Sequence, residues 1–219
     1  MPAYKTAVFD LDGTLLDTLE DLMLSTNAAL AAHGMPEHSL EDVRRFVGNG
    51  VALLIKRAVP AGTPADVEAA VLEDFKCHYG AHCEDHTGPY PGIPEMLASL
   101  REAGVALAVV SNKPDFAVQE LVERRFPGTF DAVLGENEAA GISKKPAPAM
   151  VEAALARMGR DREGMVYVGD SEVDVATAAN SGCPCLTVTW GFRTREELLA
   201  AGATTFVDTT EELARVILG

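Results

Sequence analysis

The chain has 219 residues, 47% of them hydrophobic, which is enough for one sizeable domain or for a core domain with a smaller companion. No stretch reaches the roughly 18 consecutive apolar residues of a membrane helix, and the N-terminus lacks a basic region followed by an apolar one. The formal net charge of −15 at pH 7 repels nucleic acid and anionic lipid. We therefore expect a cytoplasmic protein with reduced cysteines and with neither nucleic acid nor a membrane as a partner.

Six short apolar runs recur along the chain, and stretches with helical periodicity lie between them. The runs are residues 6–10, 105–111, 132–134, 165–169, 185–189 and 205–207. The helical stretches are residues 92–104, 114–126, 147–159 and 173–182. Continuous Val, Leu and Ala runs are typical of strands that are buried on both faces. The alternation therefore predicts an α/β fold, a doubly wound parallel sheet covered by helices.

One long segment, residues 16–86, interrupts this alternation. Helical periodicity runs through it, and it contains no convincing strand. The Pro/Gly-rich stretch "GPYPGIP" that follows, residues 88–94, is typical of a linker. The sequence thus predicts an α/β core built from residues 1–15 and 87–219, with an all-helical cap domain, residues 16–86, inserted after the first strand.

Polar side chains stand at the carboxyl ends of three predicted strands. They are Asp10 and Asp12, then Ser111, Asn112 and Lys113, and then Asp170, Ser171 and Asp174. The stretch "SKKPAP" adds Lys144 and Lys145 before a predicted helix. Ligands of open α/β sheets bind outside these strand ends, so we expect the polar groups to converge around one pocket.

The chemistry of these groups points to phosphoryl transfer. Carboxylates that converge in a desolvated pocket repel one another, so a cation is expected among them. Oxygen ligands favour a hard ion, of which Mg²⁺ is the default, while Lys and Ser supply donors for an anion. One carboxylate could then attack phosphorus to form an aspartyl-phosphate. A second, two residues further along, could protonate the leaving oxygen and activate water.

Four motifs carry a resemblance to a known family. "DLDGT", "SNK", "KKP" and "GDSEVD", in this order and spacing, closely resemble the haloacid dehalogenase (HAD) superfamily of phosphatases. The helical insertion after the first strand resembles the small helical cap of that superfamily. The resemblance extends over essentially the whole chain and implies a Rossmann-like HAD core with Mg²⁺ as the cofactor and a small phosphorylated metabolite as the substrate.

The resemblance also implies a role for each matching residue. Asp10 would be the nucleophile, and Asp12 would be the general acid and base. The residues that would bind phosphate are Gly13, Thr14, Ser111, Asn112 and Lys145. The residues that would bind Mg²⁺ are Asp10, Asp12 through its backbone carbonyl, Asp170 and Asp174. Lys144 competes with Lys145, which we favour because it immediately precedes Pro146, as in the family pattern.

Each assignment has a structural alternative. Asp10 and Asp12 could form a helix-capping turn, and Ser111 with Asn112 could cap the helix that starts near Pro114. Asp174 could be a solvated helix residue. We expect Lys113 to be a surface charge. A phospho-aspartate signalling module is the alternative of another class, although Asp12 and the helical insertion argue against it.

The cap is where substrate specificity is expected to lie. The turn Gly48-Asn49-Gly50 interrupts a helical pattern and could contact the substrate or simply join two helices. The surrounding stretch 44–59 and the C-terminal region resemble phosphoglycolate phosphatases, which implies 2-phosphoglycolate as the substrate. Pyrophosphate, sugar phosphates and nucleotides remain alternatives within the superfamily. The residues that could approach a substrate carboxylate are Arg44, Arg45, Lys56 and Arg57.

Two groups of thiols and imidazoles are weaker candidates for metal or redox chemistry. The first group comprises Cys77, His78, His82, Cys83 and His86. Its spacing fits no standard zinc signature, so we interpret it as the polar end of a helix followed by a linker. The second, Cys183 and Cys185 in "CPC", lacks the two-residue spacer of a redox pair, which favours buried structural thiols.

Overall fold

The computed structural model describes residues 2–137 and 141–219. Its strands are β1 (Thr6–Phe9), β2 (Leu16–Asp17), β3 (Gly88–Pro89), β4 (Ala106–Pro114), β5 (Ala132–Glu136), β6 (Met165–Gly169), β7 (Cys185–Val188) and β8 (Phe206–Val207). Its helices are α1 (Leu19–Ala32), α2 (Leu40–Phe46), α3 (Val51–Ala58), α4 (Ala65–His82), α5 (Ile93–Glu102), α6 (Asp115–Arg125), α7 (Ala149–Met158), α8 (Glu172–Ser181), α9 (Arg195–Ala200) and α10 (Thr210–Leu218).

Six of these strands form a parallel sheet in the order β5-β4-β1-β6-β7-β8. They correspond to the six predicted runs, so the predicted α/β fold class is confirmed. Strand β4 extends three residues beyond its predicted end, and all of its residues up to Lys113 are buried. Since β1 lies between β4 and β6, the loops that follow these three strands emerge side by side.

Helices cover both faces of the sheet, and successive residues of β1 enter different cores because strand side chains alternate. Ala7 and Phe9 belong to a hydrophobic cluster with apolar side chains of α5, α6 and α10. Val8 belongs to a second cluster, with side chains of α7 and α8. The two cores fix the central strand, and they therefore fix the strand end from which Asp10 projects.

Two C-terminal helices, α9 and α10, were absent from the predicted elements, although their caps are visible in the sequence. The Thr194 side chain accepts a hydrogen bond from the Glu197 amide, and the Glu197 side chain bonds back to Thr194. The Thr209 side chain likewise accepts from the Glu212 amide at the start of α10, while the Glu212 side chain accepts from the Asp208 amide. The pattern Thr-x-x-Glu is the signature of a helix start.

The chain divides into two compact units, one of Met1–Leu16 with Pro89–Gly219 and one of Asp17–Gly88. The second unit contains α1 to α4. At its C-terminal end the buried Asp21 carboxylate accepts hydrogen bonds from the amides of His86 and Thr87 at 2.8–3.1 Å. The two-residue strand β2, which pairs with β3, was not predicted. None of the helices in residues 2–137 and 141–219 is long and apolar enough to cross a bilayer.

Candidate active site

The predicted site residues of the α/β unit converge at the carboxyl ends of β1, β4 and β6. Asp10 follows β1, Ser111 and Asn112 lie near the end of β4, and Asp170 follows β6. All of the predicted phosphate-binding and metal-binding residues of this unit are buried except Asp12, which is half-buried. The sheet therefore places a set of charged and polar groups in its interior, where each of them requires a partner.

The centre of the site is a triad of buried carboxylates, Asp10, Asp170 and Asp174, with ligand atoms that lie within 4.8 Å of one another. In the described ranges, 2–137 and 141–219, no other group of three or more His, Cys, Asp or Glu side chains converges in this way. Lys145 lies among them, with its Nζ 2.8 Å from Asp10 Oδ1 and 2.8 Å from Asp174 Oδ1. One ammonium thus pairs with two of the three carboxylates, so the cluster can accommodate a further cation.

Asp174 is saturated with hydrogen bonds. Its Oδ1 accepts from Lys145 Nζ at 2.8 Å and from the Tyr167 hydroxyl at 3.0 Å. Its Oδ2 accepts from the Ser171 amide at 3.1 Å and from the Ser171 hydroxyl at 2.6 Å. Four donors occupy the roughly four acceptor positions of a carboxylate. Asp174 therefore anchors Lys145, and it is not the solvated helix residue of the structural alternative.

Asp10 uses only one of its two carboxylate oxygens. Oδ1 accepts from the Leu11 amide at 2.7 Å and from Lys145 Nζ at 2.8 Å. Within the part of the chain that the structure describes, Oδ2 has no hydrogen-bond partner. The side chain is thus fixed through one oxygen, and the described residues leave the other oxygen without a hydrogen bond.

Asp170 is held at both oxygens and is closely surrounded by backbone. Oδ1 accepts from the Thr14 hydroxyl at 3.0 Å, and Oδ2 accepts from the Phe192 amide at 2.7 Å. A Cβ at Gly13 would lie 2.8 Å from Asp170 Cγ and 2.9 Å from Oδ1, and Gly13 also has a φ of +83°. Glycine is required there both for the left-handed backbone and for the approach to Asp170.

Residues 111–113 at the end of β4 have three different sets of partners. The Asn112 carboxamide binds the backbone of Lys145, accepting from its amide at 2.8 Å and donating to its carbonyl at 3.2 Å. Asn112 therefore positions the lysine loop instead of presenting its carboxamide to a phosphoryl group. The Ser111 hydroxyl accepts from the Lys113 amide at 3.3 Å.

The prediction that Lys113 is a surface charge is wrong. Its side chain is buried, and its Nζ lies 3.0 and 3.3 Å from the two carboxylate oxygens of Asp12. The cause is the extension of β4 through Pro114, which takes Lys113 along the strand into the interior. Lys113 therefore belongs to the site.

The three acids of the triad differ in the direction in which their pKa values are shifted. Burial raises the pKa of Asp10 well above its usual range, and Asp174 adds to this effect, while Lys145 opposes it. Burial, followed by repulsion from Asp174, raises the pKa of Asp170 to about 7. Burial would also raise the pKa of Asp174, but Lys145, together with the hydrogen bonds from Ser171 and Tyr167, outweighs burial and lowers this pKa. Burial would lower the pKa of Lys145, but Asp10 and Asp174 hold it above the ordinary value, so the lysine is charged.

We expect the free energy of unfolding of the metal-free protein to fall as the pH rises from about 4 to about 7. The pKa of Asp170 is about 7 in the folded protein against an ordinary 3.8, so the folded state retains a proton that the unfolded chain has released. The stabilisation is present below pH 4 and is lost as the pH rises through 7. Urea unfolding in EDTA at pH 4, 5.5 and 8 measures it. The decrease should be smaller in Asp170→Asn, and an equal decrease would contradict the prediction.

The remaining predicted residues are Lys144 and the turn residues 48–50. Lys144 is exposed. Gly48, Asn49 and Gly50 lie in the helical unit, in the turn between α2 and α3, where both glycines have positive φ.

Among the described residues, the Cys/His group of the helical unit forms no cluster of three or more potential metal ligands. His78 Nδ1 lies 3.0 Å from the Ser25 hydroxyl, and His82 Nδ1 lies 2.8 Å from an oxygen of Asp85. The thiols of Cys183 and Cys185 are partly buried, and burial raises the pKa of Cys183 to about 11 and that of Cys185 to about 12. These thiols are therefore protonated at neutral pH, as expected for structural cysteines.

Three residues of the site were missed in the sequence. Tyr167 is buried within β6 and donates to Asp174, which its apolar strand context concealed. Phe192 acts through its backbone amide, which leaves no signal in a side-chain pattern. Trp190 donates from its indole Nε1 to the Thr14 carbonyl at 3.1 Å. It is the one tryptophan of the chain, and this could have marked it.

The chain is similar in sequence and fold to one family of known proteins. Residues 7–188 match the family model of haloacid dehalogenase-like hydrolases. A phosphoglycolate phosphatase of Vibrio parahaemolyticus is 34% identical over 97% of this chain and 96% of its own length. One from Cereibacter sphaeroides is 38% identical over 85% of each chain. A crystal structure from Lactobacillus delbrueckii, of a protein proposed to be a phosphoglycolate phosphatase, is 42% identical, with a TM-score of 0.94 over 100% of both chains.

The chain belongs to the haloacid dehalogenase-like hydrolase family. Within that family it groups with the phosphatases, since its relatives at 30–38% identity over most of the chain carry that name. The resemblance inferred from the four motifs is thereby confirmed.

Proposed function

We propose that this hydrolase cleaves a small phosphomonoester through a covalent phosphate on Asp10, and that its substrate is 2-phosphoglycolate. The observation that carries the mechanism is the state of Asp10. One of its oxygens is fixed by Lys145 and the Leu11 amide, and the other accepts no hydrogen bond from residues 2–137 and 141–219. An oriented carboxylate with one free oxygen is prepared for nucleophilic attack.

In the proposed first step, Asp10 Oδ2 attacks phosphorus and the bond from phosphorus to the ester oxygen breaks. Asp12 transfers its proton to the leaving oxygen, which departs as the alcohol. In the second step, Asp12 takes a proton from water, and the resulting hydroxide attacks the phosphorus of the aspartyl-phosphate. Inorganic phosphate is released and the Asp10 carboxylate is regenerated. Lys145, the Ser111 hydroxyl and the Gly13–Thr14 loop are proposed to stabilise the charge on the phosphoryl oxygens.

The donor set of the site fits a hard divalent cation, and we propose Mg²⁺. Asp10, Asp170 and the backbone carbonyl of Asp12 are the proposed ligands, all of them oxygens. When bound, Mg²⁺ would offset the charge of the acids and polarise a phosphoryl oxygen. Asp174, with its four acceptor positions already used, is proposed to hold Lys145 instead of contacting the ion directly.

The choice of substrate rests on the relatives, which are named phosphoglycolate phosphatases and match nearly the full chain. We propose that residues 16–86 act as the cap and supply the contacts to the glycolate part, with the turn Gly48–Gly50 as the foremost candidate. Pyrophosphate, sugar phosphates and nucleotides are the alternative substrates. The proposed partner is thus a small phosphorylated metabolite.

The first test is phosphate release from 2-phosphoglycolate, pyrophosphate, glucose 6-phosphate and AMP, each with Mg²⁺ and with EDTA. We expect 2-phosphoglycolate to give the highest kcat/KM, EDTA to abolish release and added Mg²⁺ to restore it. A higher kcat/KM for another substrate would overturn the choice of substrate. Activity that persists in EDTA would refute the proposed requirement for Mg²⁺. A stable phosphate on Asp10 without turnover would indicate the phospho-aspartate signalling module instead.

A further inference from the structure

The segment Trp190–Arg193, "WGFR", connects β7 to α9 and passes beside the acidic triad. Nothing in the proposed mechanism uses it. Three of its residues nevertheless contact Asp170 or the loop that holds Asp170, and the fourth is a buried arginine. The role of a simple connection between β7 and α9 does not explain why so many of these contacts centre on the Asp170 carboxylate.

We infer that Trp190–Arg193 is a positioning segment that fixes the orientation of the Asp170 carboxylate for a bound cation. The Phe192 amide donates to Asp170 Oδ2 at 2.7 Å. The other oxygen is held indirectly, because the Trp190 indole donates to the Thr14 carbonyl at 3.1 Å and the Thr14 hydroxyl donates to Oδ1 at 3.0 Å. The segment thus controls both oxygens of one side chain.

Gly191 shows how closely the segment approaches. A Cβ at this position would lie 2.5 Å from both Cγ and Oδ2 of Asp170, inside van der Waals contact. Gly191 does not have a positive φ, so its backbone conformation would accept alanine. Space beside the carboxylate, and not conformation, is therefore the reason for glycine here.

The far end of the segment is fixed as well. The guanidinium of Arg193 pairs with Glu172, the first residue of α8, with Nε at 2.8 Å from Oε2 and Nη2 at 3.3 Å from Oε1. The segment is therefore tied at Trp190 to the loop after β1 and at Arg193 to the helix after β6. Asp170 lies between these two attachments, which limits the directions in which its carboxylate can turn.

Groups that hold a metal ligand set the affinity of the site, and their loss typically weakens binding 10–100-fold. The inference rests on the proposed function, since it takes Asp170 as a metal ligand. Its test uses Mn²⁺, which suits the same oxygen ligands as Mg²⁺ and is followed as the free ion by electron paramagnetic resonance. Dissociation constants are measured for the full chain and for Gly191→Ala, Trp190→Phe and Asp170→Asn.

Gly191→Ala is expected to raise the Mn²⁺ dissociation constant at least tenfold, because the added methyl displaces the carboxylate. Trp190→Phe keeps an aromatic ring but removes the indole donor, and is expected to raise it at least threefold. Gly80→Ala is the matched control, since nothing lies within 4 Å of a Cβ at Gly80 in α4, and it should bind Mn²⁺ like the wild type. Circular dichroism melts check that each variant is folded.

The outcomes separate the inference from the proposed function. If Asp170→Asn loses Mn²⁺ binding while Gly191→Ala and Trp190→Phe stay within twofold of the wild type, the metal site stands and the positioning segment is refuted. If Asp170→Asn binds Mn²⁺ like the wild type, Asp170 is not a metal ligand. That result refutes this part of the proposed function, and the inference about the segment falls with it. Should Gly191→Ala not fold, Trp190→Phe alone decides, because it adds no atoms beside the carboxylate.

Discussion

Lys145→Ala is expected to destabilise the metal-free protein by about 3–5 kcal/mol at pH 8, because removing one partner leaves buried charges without compensation. The lysine is buried and bonded to both Asp10 and Asp174, so its loss exposes a triad of carboxylates to one another. Phosphate release should fall below detection, since the proposed contact with the phosphoryl group is lost too. Urea unfolding in EDTA and a phosphate-release assay measure the two effects.

The neighbouring residue provides the control for this prediction. Lys144→Ala removes the same charge from an exposed position and should change the unfolding free energy by less than about 0.5 kcal/mol. The destabilisation by Lys145→Ala should also shrink at pH 5, where protons can replace the lysine on the acids. A Lys145→Ala variant as stable as Lys144→Ala at pH 8 would contradict the electrostatic account of the site.

Asp10→Asn is expected to lower kcat by about 10⁴-fold or more while the fold is retained, because an amide oxygen is a poor nucleophile toward phosphorus. The asparagine can still accept from Lys145 and from the Leu11 amide, so packing is preserved. It also removes one of the mutually repelling acids. Because burial raises the pKa of Asp10, the ionised group is costly, and the metal-free variant should unfold at a higher urea concentration than the wild type at pH 8.

The matched control for this variant is Asp66→Asn, the same change at an exposed position in the first turn of α4. It should leave both kcat and the urea midpoint close to those of the wild type. Activity of Asp10→Asn within tenfold of the wild type would refute the nucleophile. A urea midpoint of Asp10→Asn below that of the wild type would instead refute the proposed repulsion among the acids. It would not bear on the role of Asp10 as the nucleophile.

Sequence patterns predict the fold well here because the sheet is parallel and buried. Strands such as β1 and β6 are short runs of mostly apolar residues, which the sequence pattern identifies directly. The length of β4 was underestimated, because Ser111, Asn112 and Lys113 are polar and a polar run is expected to leave the core. They stay buried because their partners come from elsewhere in the chain, as in the pairs Asn112–Lys145 and Lys113–Asp12.

The candidate site was predictable in composition but not in its contacts. The motifs identify Asp10, Asp170 and Lys145, and the topology explains why they meet. They do not show that Asp174 is saturated by its neighbours, or that a backbone amide at Phe192 holds Asp170. Contacts of this kind depend on how distant loops pack together, and neither residue type nor spacing encodes that.

The bond between the Thr14 hydroxyl and Asp170 joins residues 156 positions apart, and this has a consequence for the order of folding. The central strand β1 is made first during synthesis, but its neighbour β6 and the acids that follow β6 emerge only after about three-quarters of the chain. Contacts between such distant residues form slowly, because a long loop must close before they give any stabilisation. A nascent chain that ends before β6 therefore contains Asp10 and Lys145 but has no completed site, and catalytic competence arises late in the folding of the molecule.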